Sequence, residues 1–432
     1  MLPMIEIKKV KERVILVGMG SDYGKDTDIL SVDPLEELKL LTETAGAEVV
    51  GSITQSLPKV DPRYYIGKGK AQELSDYVKS LEVTTVIFDN DLSPAQISNH
   101  EKLLEIKVID RSGLILDIFA LRAKTSEAKT QVELAQLKHL LPRLTRQWTH
   151  LSRQIGGIGV RGPGETQLEV DRRKIRERIA RLTESLKKIE QRRVISRNKR
   201  KTTFNVTLVG YTNAGKSTLF NALSRANAPV EDKLFKTLDS MTRMINFGNT
   251  HSILLSDTVG FIRNLPHELI ASFKSTLSDV KDADMLLHVV DIENPAWKEQ
   301  LEVVEEVLDS LESSSIETII VFNKIDRIKN TAFFEAVKSR NPSSVFISAK
   351  KQTGIEDLII SIKEAEQKGK IKITMEFGSR NRNLMRDVYR YGTILETHAD
   401  GDSITLTFTI PVSMARKLGF YEKQSKMNLE NS

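Results

Sequence analysis

Eight consecutive residues, Gly210-Tyr211-Thr212-Asn213-Ala214-Gly215-Lys216-Ser217, carry the pattern GxxxxGK[ST]. Glycines let successive main-chain N–H groups turn toward one point, the lysine adds a cation, and the serine hydroxyl can face a divalent metal. That combination suits a phosphate chain. Downstream, Asp257-Thr258-Val259-Gly260 closes the apolar run Ile253-Leu254-Leu255, which places a carboxylate at the C-terminal end of a strand, where it can hold the metal. Asn323-Lys324-Ile325-Asp326 closes another run, Thr318 to Phe322. Guanine presents two adjacent donors, N1–H and the 2-amino group, which one carboxylate accepts together; adenine offers a bare N1 and no 2-amino group. A buried Asp326 would therefore reject adenine, because its oxygens would be left unpaired. Ser348-Ala349-Lys350 can offer main-chain N–H groups to the guanine carbonyl. Each of the shorter motifs alone is a common turn sequence; their order behind the first points to GTP with Mg2+.

These residues need strands that end at one edge, and the chain supplies them. From Thr203 to about Gln367, apolar runs at Phe204 to Val209, Ser252 to Ser256, Met285 to Val290, Thr318 to Phe322 and Val345 to Ile347 alternate with helical patterns, which predicts a doubly wound α/β unit. Residues 1–123 repeat the alternation on a smaller scale, with runs at Val14 to Val17, Glu48 to Val50, Thr85 to Phe88 and Ile106 to Ile109. Helix starts are marked there by Asp33-Pro34 and Ser93-Pro94. Between 124 and 201 the strand signals stop. Glu127 to Leu141 and Glu165 to Asn198 carry helical periodicity, separated by the glycine-rich tract Gly156 to Gly164, and predict a long hairpin with a basic tip. Residues 369–432 show strand, helix, two strands around Asp400-Gly401-Asp402 and a short helix after Pro411. The expected class is α/β, in four parts: a small N-terminal α/β domain (1–123), a helical hairpin (124–201), a P-loop domain (202–368) and a small α+β module (369–432).

Charge singles out the hairpin. The whole chain of 432 residues carries a net charge of +6, yet Arg143 to Lys201 alone holds 18 Lys and Arg against 6 Asp and Glu. Too few acids are present to pair those bases internally, so the segment suits a nucleic-acid backbone, with Arg153, Arg161, Arg172 and Arg173 as the candidate RNA contacts. Gly157 to Gly162 also fits GxGxxG, but no strand precedes it and Pro163 follows, which argues against a dinucleotide fold. Zero cysteines exclude disulfides and thiolate metal sites. The charged N-terminus and the lack of a long apolar run predict a cytoplasmic protein with no membrane span, with peripheral attachment to a membrane left open. A monomer is expected, though the sequence does not fix the oligomeric state.

In this order the nucleotide motifs resemble the G domain of translation-associated GTPases. The resemblance implies that Gly210 to Ser217 enclose the phosphates and that Phe235, Lys236, Thr237, Leu238 and Asp239 form a first switch. Asp257, Thr258, Val259 and Gly260 would form a second, with Asn323 to Asp326 and Ser348 to Lys350 around the base. Thr237 would join Ser217 on Mg2+, with Asp257 acting through water; Lys216, Thr237 and Gly260 would carry catalysis. Tyr65-Ile66-Gly67-Lys68-Gly69-Lys70, Phe88 to Gln96, Asp110-Arg111, Gly162 to Glu169 and Phe261-Ile262-Arg263-Asn264-Leu265-Pro266-His267 narrow the likeness to the HflX family of GTPases, across about 10–365. That resemblance implies a GTPase stimulated by the large ribosomal subunit, with the hairpin near the peptidyl-transferase region and the N-terminal domain on ribosomal RNA. Its GTP form would separate stalled or idle ribosomes into subunits. Ras-like enzymes orient the attacking water with a Gln where this chain has Phe261, so unassisted turnover should be slow. Two rivals stay open: a GTP-regulated RNA-binding assembly factor without splitting activity, and a nucleotide-driven RNA helicase. A second nucleotide at Gly67 to Lys70 also stays open, against the plainer reading of a helix start.

Overall fold

The computed structural model describes residues 11–19, 35–145, 167–198, 203–224, 235, 241–247, 252–263, 279–378, 382–400, 403–411, 415 and 418–420. In the first unit β1 (Arg13–Met19), α1 (Glu36–Ala45), β2 (Glu48–Gln55), α2 (Lys68–Ser80), β3 (Thr85–Phe88), α3 (Pro94–Leu104), β4 (Lys107–Asp110) and α4 (Arg111–Arg122) alternate. The strands form an all-parallel sheet in the order β2-β1-β3-β4. β1 is apolar on both faces: Val14 and Leu16 enter one core, Ile15 and Val17 the other, as a strand covered by helices on both sides requires. Ser93 starts α3 as expected, accepting from Gln96 N while the Gln96 side chain accepts from Ser93 N. Gly67 caps α2, which begins at Lys68, and Lys70 pairs with Glu73. The Asp33-Pro34 start lies outside the described residues; α1 follows Leu35 and stops at Gly46 in the left-handed region.

α5 (Ser126–Leu140), a 3-10 turn at Arg143–Thr145 and α6 (Gln167–Asn198) form the predicted hairpin. Arg178 meets Glu133 through two bonds of 2.7 and 2.9 Å, which fixes the antiparallel register. At 1.5 Å per residue α6 runs about 48 Å, roughly twice the length of α5. The glycine-rich tip, with Arg153 and Arg161, lies outside the described residues.

The nucleotide motifs sit on β5 (Phe204–Gly210), α7 (Lys216–Ser224), β6 (Met241–Asn246), β7 (Ser252–Asp257), β8 (Met285–Asp291), α8 (Trp297–Ser310), β9 (Glu317–Asn323), α9 (Thr331–Arg340), β10 (Val345–Phe346) and α10 (Ile355–Lys368). The sheet order is β10-β9-β8-β5-β7-β6, parallel except for β6. β6 is absent from the sequence reading: it is an antiparallel edge strand, mostly exposed, so it shows no apolar run. A three-stranded antiparallel sheet, β11 (Lys370–Phe377), β13 (Ser403–Pro411) and β12 (Thr393–Asp400), closes the chain with α11 (Arg382–Tyr391). Phe377, Val388, Phe408 and Phe420 fill its core. Most residues of the helix expected after Pro411 lie outside the description.

One apolar cluster crosses from the first sheet to the second. It joins Val14, Leu16, Leu38, Ile115 and Phe119 to Val209, Tyr211, Phe235, Phe261 and Leu286. The Phe119 and Phe235 rings meet edge to face at 4.6 Å, a geometry worth about 1 kcal/mol beyond the buried area. The nucleotide motifs are therefore packed against the N-terminal unit.

Candidate functional site

β5 runs into the loop at Gly210, whose φ of +147° and whose closeness to the Val289 carbonyl leave no room for a side chain. Asn213 and Gly215 also take positive φ, so the loop curls before α7 begins at Lys216. Lys216 Nζ donates to the carbonyls of Gly210 (2.8 Å) and Tyr211 (2.7 Å). Thr212 Oγ1 is buried with no hydrogen-bond partner among the described residues. Gly260 lies directly on the loop: a methyl there would stand 2.9 Å from Thr212 Cα and 3.0 Å from Lys216 Nζ. Phe261 N donates to Gly210 O (3.1 Å), and Thr212 N donates to Phe261 O (2.8 Å). Phe261, next to Gly260, thus forms an extra strand bridge with Tyr211 of the loop.

Ser217 Oγ donates to Asp257 Oδ2 at 2.8 Å, at the end of β7. Two hard oxygens side by side beneath a phosphate loop fit Mg2+. On the base side, Asn323 ties two segments together, its amide donating to Ala214 O (2.9 Å) and its oxygen accepting from Ala349 N (3.0 Å). The Ala349 N–H expected at the guanine carbonyl is therefore already engaged by Asn323. Lys324 Nζ holds Asp291 Oδ2 at 2.6 Å. Asp326 accepts from Ser348 Oγ at 2.6 Å, and this bond is the main cause that holds its carboxyl below the usual range. It is half-buried rather than buried, because the 3-10 turn Ile325–Arg327 lies at the surface. Phe235 is buried; Lys236, Thr237, Leu238 and Asp239 lie outside the described residues. Arg172 is half-buried and Arg173 exposed on α6.

Four participants were not assigned by sequence reasoning. Glu37, on α1, accepts from Tyr211 Oη (2.7 Å) and Arg263 Nε (3.1 Å) and pairs with Arg111 Nη2 (3.1 Å). Burial, then Glu37, push the Tyr211 hydroxyl far above its ordinary pKa, so it stays a donor. His288, on β8, is the fourth: burial and then the charge of Lys216 lower it to about 4, so it is neutral at physiological pH. Arg111 and Arg263 stood in quoted motifs, but nothing local marked them as partners of a glutamate far away in sequence.

Burial drags Lys216 from 10.5 down to about 8, with Asp257 opposing. The unfolded chain keeps that proton up to higher pH, so the fold gains stability as pH rises from about 8 toward 10.5. A bound phosphate adds a neighbouring anion and pushes the ammonium back up. Nucleotide binding at pH 8 is therefore expected to take up about half a proton, and at pH 6.5 close to none, through this residue. Calorimetry in buffers of different ionisation enthalpy measures it, and an unchanged proton count in Lys216→Ala would remove this assignment.

Three family descriptions match consecutive stretches: "GTP-binding GTPase N-terminal" over 33–120, "GTP-binding GTPase Middle Region" over 122–200, and "50S ribosome-binding GTPase" over 205–324. A GTPase HflX from Caldanaerobacter subterraneus is 43% identical over 417 residues, 96% of this chain and 95% of that protein. A GTPase HflX from Escherichia coli is 42% identical over 411 residues, 94% of this chain and 95% of its own. A crystal structure of a GTP-binding protein from Sulfolobus solfataricus with GDP is 25% identical and covers 83% of this chain and 99% of that one, at a TM-score of 0.43. With relatives of one name matched at this identity along nearly their whole length, the chain belongs to the HflX family of GTPases.

Proposed function

We propose that this GTPase, in its GTP form, binds the large ribosomal subunit and separates stalled or idle ribosomes into subunits, and that hydrolysis resets it. The observation that supports this most directly is the bond from the phosphate loop to the N-terminal unit, Tyr211 to Glu37, in a chain whose basic hairpin leaves that same unit. The family description "50S ribosome-binding GTPase" supports the choice of partner.

In this reading Gly210 to Ser217 enclose the phosphates and Lys216 lies beside the β- and γ-oxygens. Ser217 and Thr237 would hold Mg2+, with Asp257 acting through water. The metal, when bound, supplies positive charge to the transferring phosphoryl group. Asp326 reads guanine, and Ser348, Ala349 and Lys350 line the far side of the base. Thr237 and Gly260 sense the third phosphate, and the order they impose passes to the hairpin, whose Arg153, Arg161, Arg172 and Arg173 face ribosomal RNA. Phe261 cannot hydrogen-bond a water, so a group on the ribosome completes hydrolysis. The protein acts as a cytoplasmic monomer.

Cosedimentation with separated subunits should show the large subunit retained with a non-hydrolysable GTP analogue and released with GDP. Lys216→Ala or Ser217→Ala should abolish GTP-dependent subunit separation followed by light scattering; separation at the parent rate would refute the switch. GTP turnover unmoved by ribosomes would favour the passive assembly factor, and ATP-driven duplex unwinding by the purified protein the helicase.

A further inference from the structure

β4 ends and α4 begins at two adjacent residues that face different partners. Asp110 and Arg111 are 1% and 2% exposed. Asp110 Oδ1 accepts from Gly113 N (2.9 Å), which caps α4. Its Oδ2 takes Arg143 Nη2 at 2.5 Å, and His139 Nε2 stands 3.5 Å from Oδ1. Arg143 Nη2 is also 2.6 Å from His139 Nε2, so the carboxylate, the guanidinium and the imidazole form one cluster. Arg143 and His139 lie at the end of α5, where the chain leaves it for the hairpin tip. Burial alone would raise the Asp110 carboxyl; His139 and Arg143 outweigh it and hold it below the usual range, so it stays ionised.

Arg111 turns the other way. Its Nη1 meets Asp89 Oδ1 at 2.5 Å, and its Nη2 meets Glu37 Oε2 at 3.1 Å. The same Nη2 donates to the main-chain oxygen of Arg263 at 3.3 Å, three residues beyond Gly260. Arg263 N donates to Tyr211 Oη at 2.9 Å, which closes the circuit on the phosphate loop. The guanidinium fork is planar and its bonds to carboxylates are charge-assisted, so it resists rotation. Its bond to the Arg263 carbonyl is the longest of the set, and is the one that a shift of the second switch would make or break.

We propose that Asp110 and Arg111 are positioning residues that form a rigid joint between the nucleotide site and the hairpin: Arg111 grips the main chain after Gly260, and Asp110 grips the end of the hairpin's first helix through Arg143. The joint rests on the switch reading above and names how the nucleotide state reaches the RNA-facing arm. A displacement at Arg263 is carried through one peptide bond to the residue that orients the hairpin.

The chain has no cysteine, so two introduced ones label it cleanly. Lys174→Cys on α6 and Glu306→Cys on α8, both exposed, take spin labels in the full-length protein. The label distance should differ between GDP and a non-hydrolysable GTP analogue. Arg143→Ala should erase that difference and lower the preference of the large subunit for the GTP-analogue form by about fivefold or more. It should keep nucleotide affinity while lowering the melting temperature, because the buried Asp110 carboxylate loses its partner. Arg143→Lys, which keeps a cation on Asp110, should restore most of the difference; a residue that only stabilised the fold would lower the melting temperature and leave the nucleotide-dependent distance intact. Arg111→Lys, which shortens the fork, should uncouple in the same way from the other side. A nucleotide-dependent distance that survives in Arg143→Ala, or is missing from the parent protein, overturns the joint. If parent cosedimentation still depends on nucleotide, the joint fails and the switch reading stands; if it does not, the switch reading itself fails.

Discussion

Asp326→Asn should lower the affinity for GTP by about a hundredfold or more and create affinity for xanthosine triphosphate. Asp326 accepts from the Ser348 hydroxyl at 2.6 Å, and that bond is the main cause that holds its carboxyl below the usual range. Ionised, it accepts from both guanine donors at once. An amide in its place turns an N–H toward the 2-amino group, donor against donor, and leaves both unpaired beneath the base. Xanthine carries a carbonyl at that position, which the amide can satisfy. Because the side chain lies half-exposed on the turn after β9, the exchange should leave the melting temperature within a degree or two. Competition between the two triphosphates in a calorimetric titration measures the swap. Undiminished GTP affinity in Asp326→Asn would place the base elsewhere.

The contrast between what the sequence revealed and what it hid follows from the range of the interactions. Gly210 to Ser217, Asp257 and Asn323 to Asp326 are local signatures at the ends of buried strands, and buried strands announce themselves as apolar runs. β6 did not, because an exposed edge strand mixes Met, Thr and Arg along one short stretch. Asn323 was read as a base contact. Its other task, joining Ala214 to Ala349, spans 109 residues in one direction and is invisible to any motif. The same holds for Tyr211 and Glu37, 174 positions apart, and for Arg111 and Arg263, 152 apart. Each looks in the sequence like an ordinary charged or aromatic residue. What selects them is that two sheets share one apolar cluster, so polar groups at its rim must find partners across it. Phe261 shows the same limit: the sequence disclosed that a glutamine was missing, and not where the ring had gone.

That location predicts the outcome of putting the glutamine back. Phe261→Gln should leave the intrinsic GTPase rate within about threefold of the parent and should destabilise the protein, by about 3 kcal/mol. The backbone at Phe261 is pinned on both sides to the phosphate loop, through Gly210 O and Thr212 N. The ring is 2% exposed and belongs to the cluster with Phe119, Phe235 and Leu286. A glutamine held in the same backbone geometry sends its amide into that cluster. There it loses the burial of an aromatic ring and leaves an oxygen and two N–H groups to find partners among aliphatic and aromatic carbon. Part of the loss is recovered if the amide twists to the rim, where Glu37 and Arg263 already satisfy one another; it still does not reach the phosphate side of the loop. Single-turnover hydrolysis without ribosomes, read beside thermal unfolding, separates the possibilities. A tenfold or larger gain in turnover with an unchanged melting temperature would mean that this position faces the third phosphate and that the packing account of Phe261 is wrong. A lower melting temperature with unchanged turnover would make Phe261 a pillar between the two sheets, and would leave the orientation of the attacking water to a partner or another polar group.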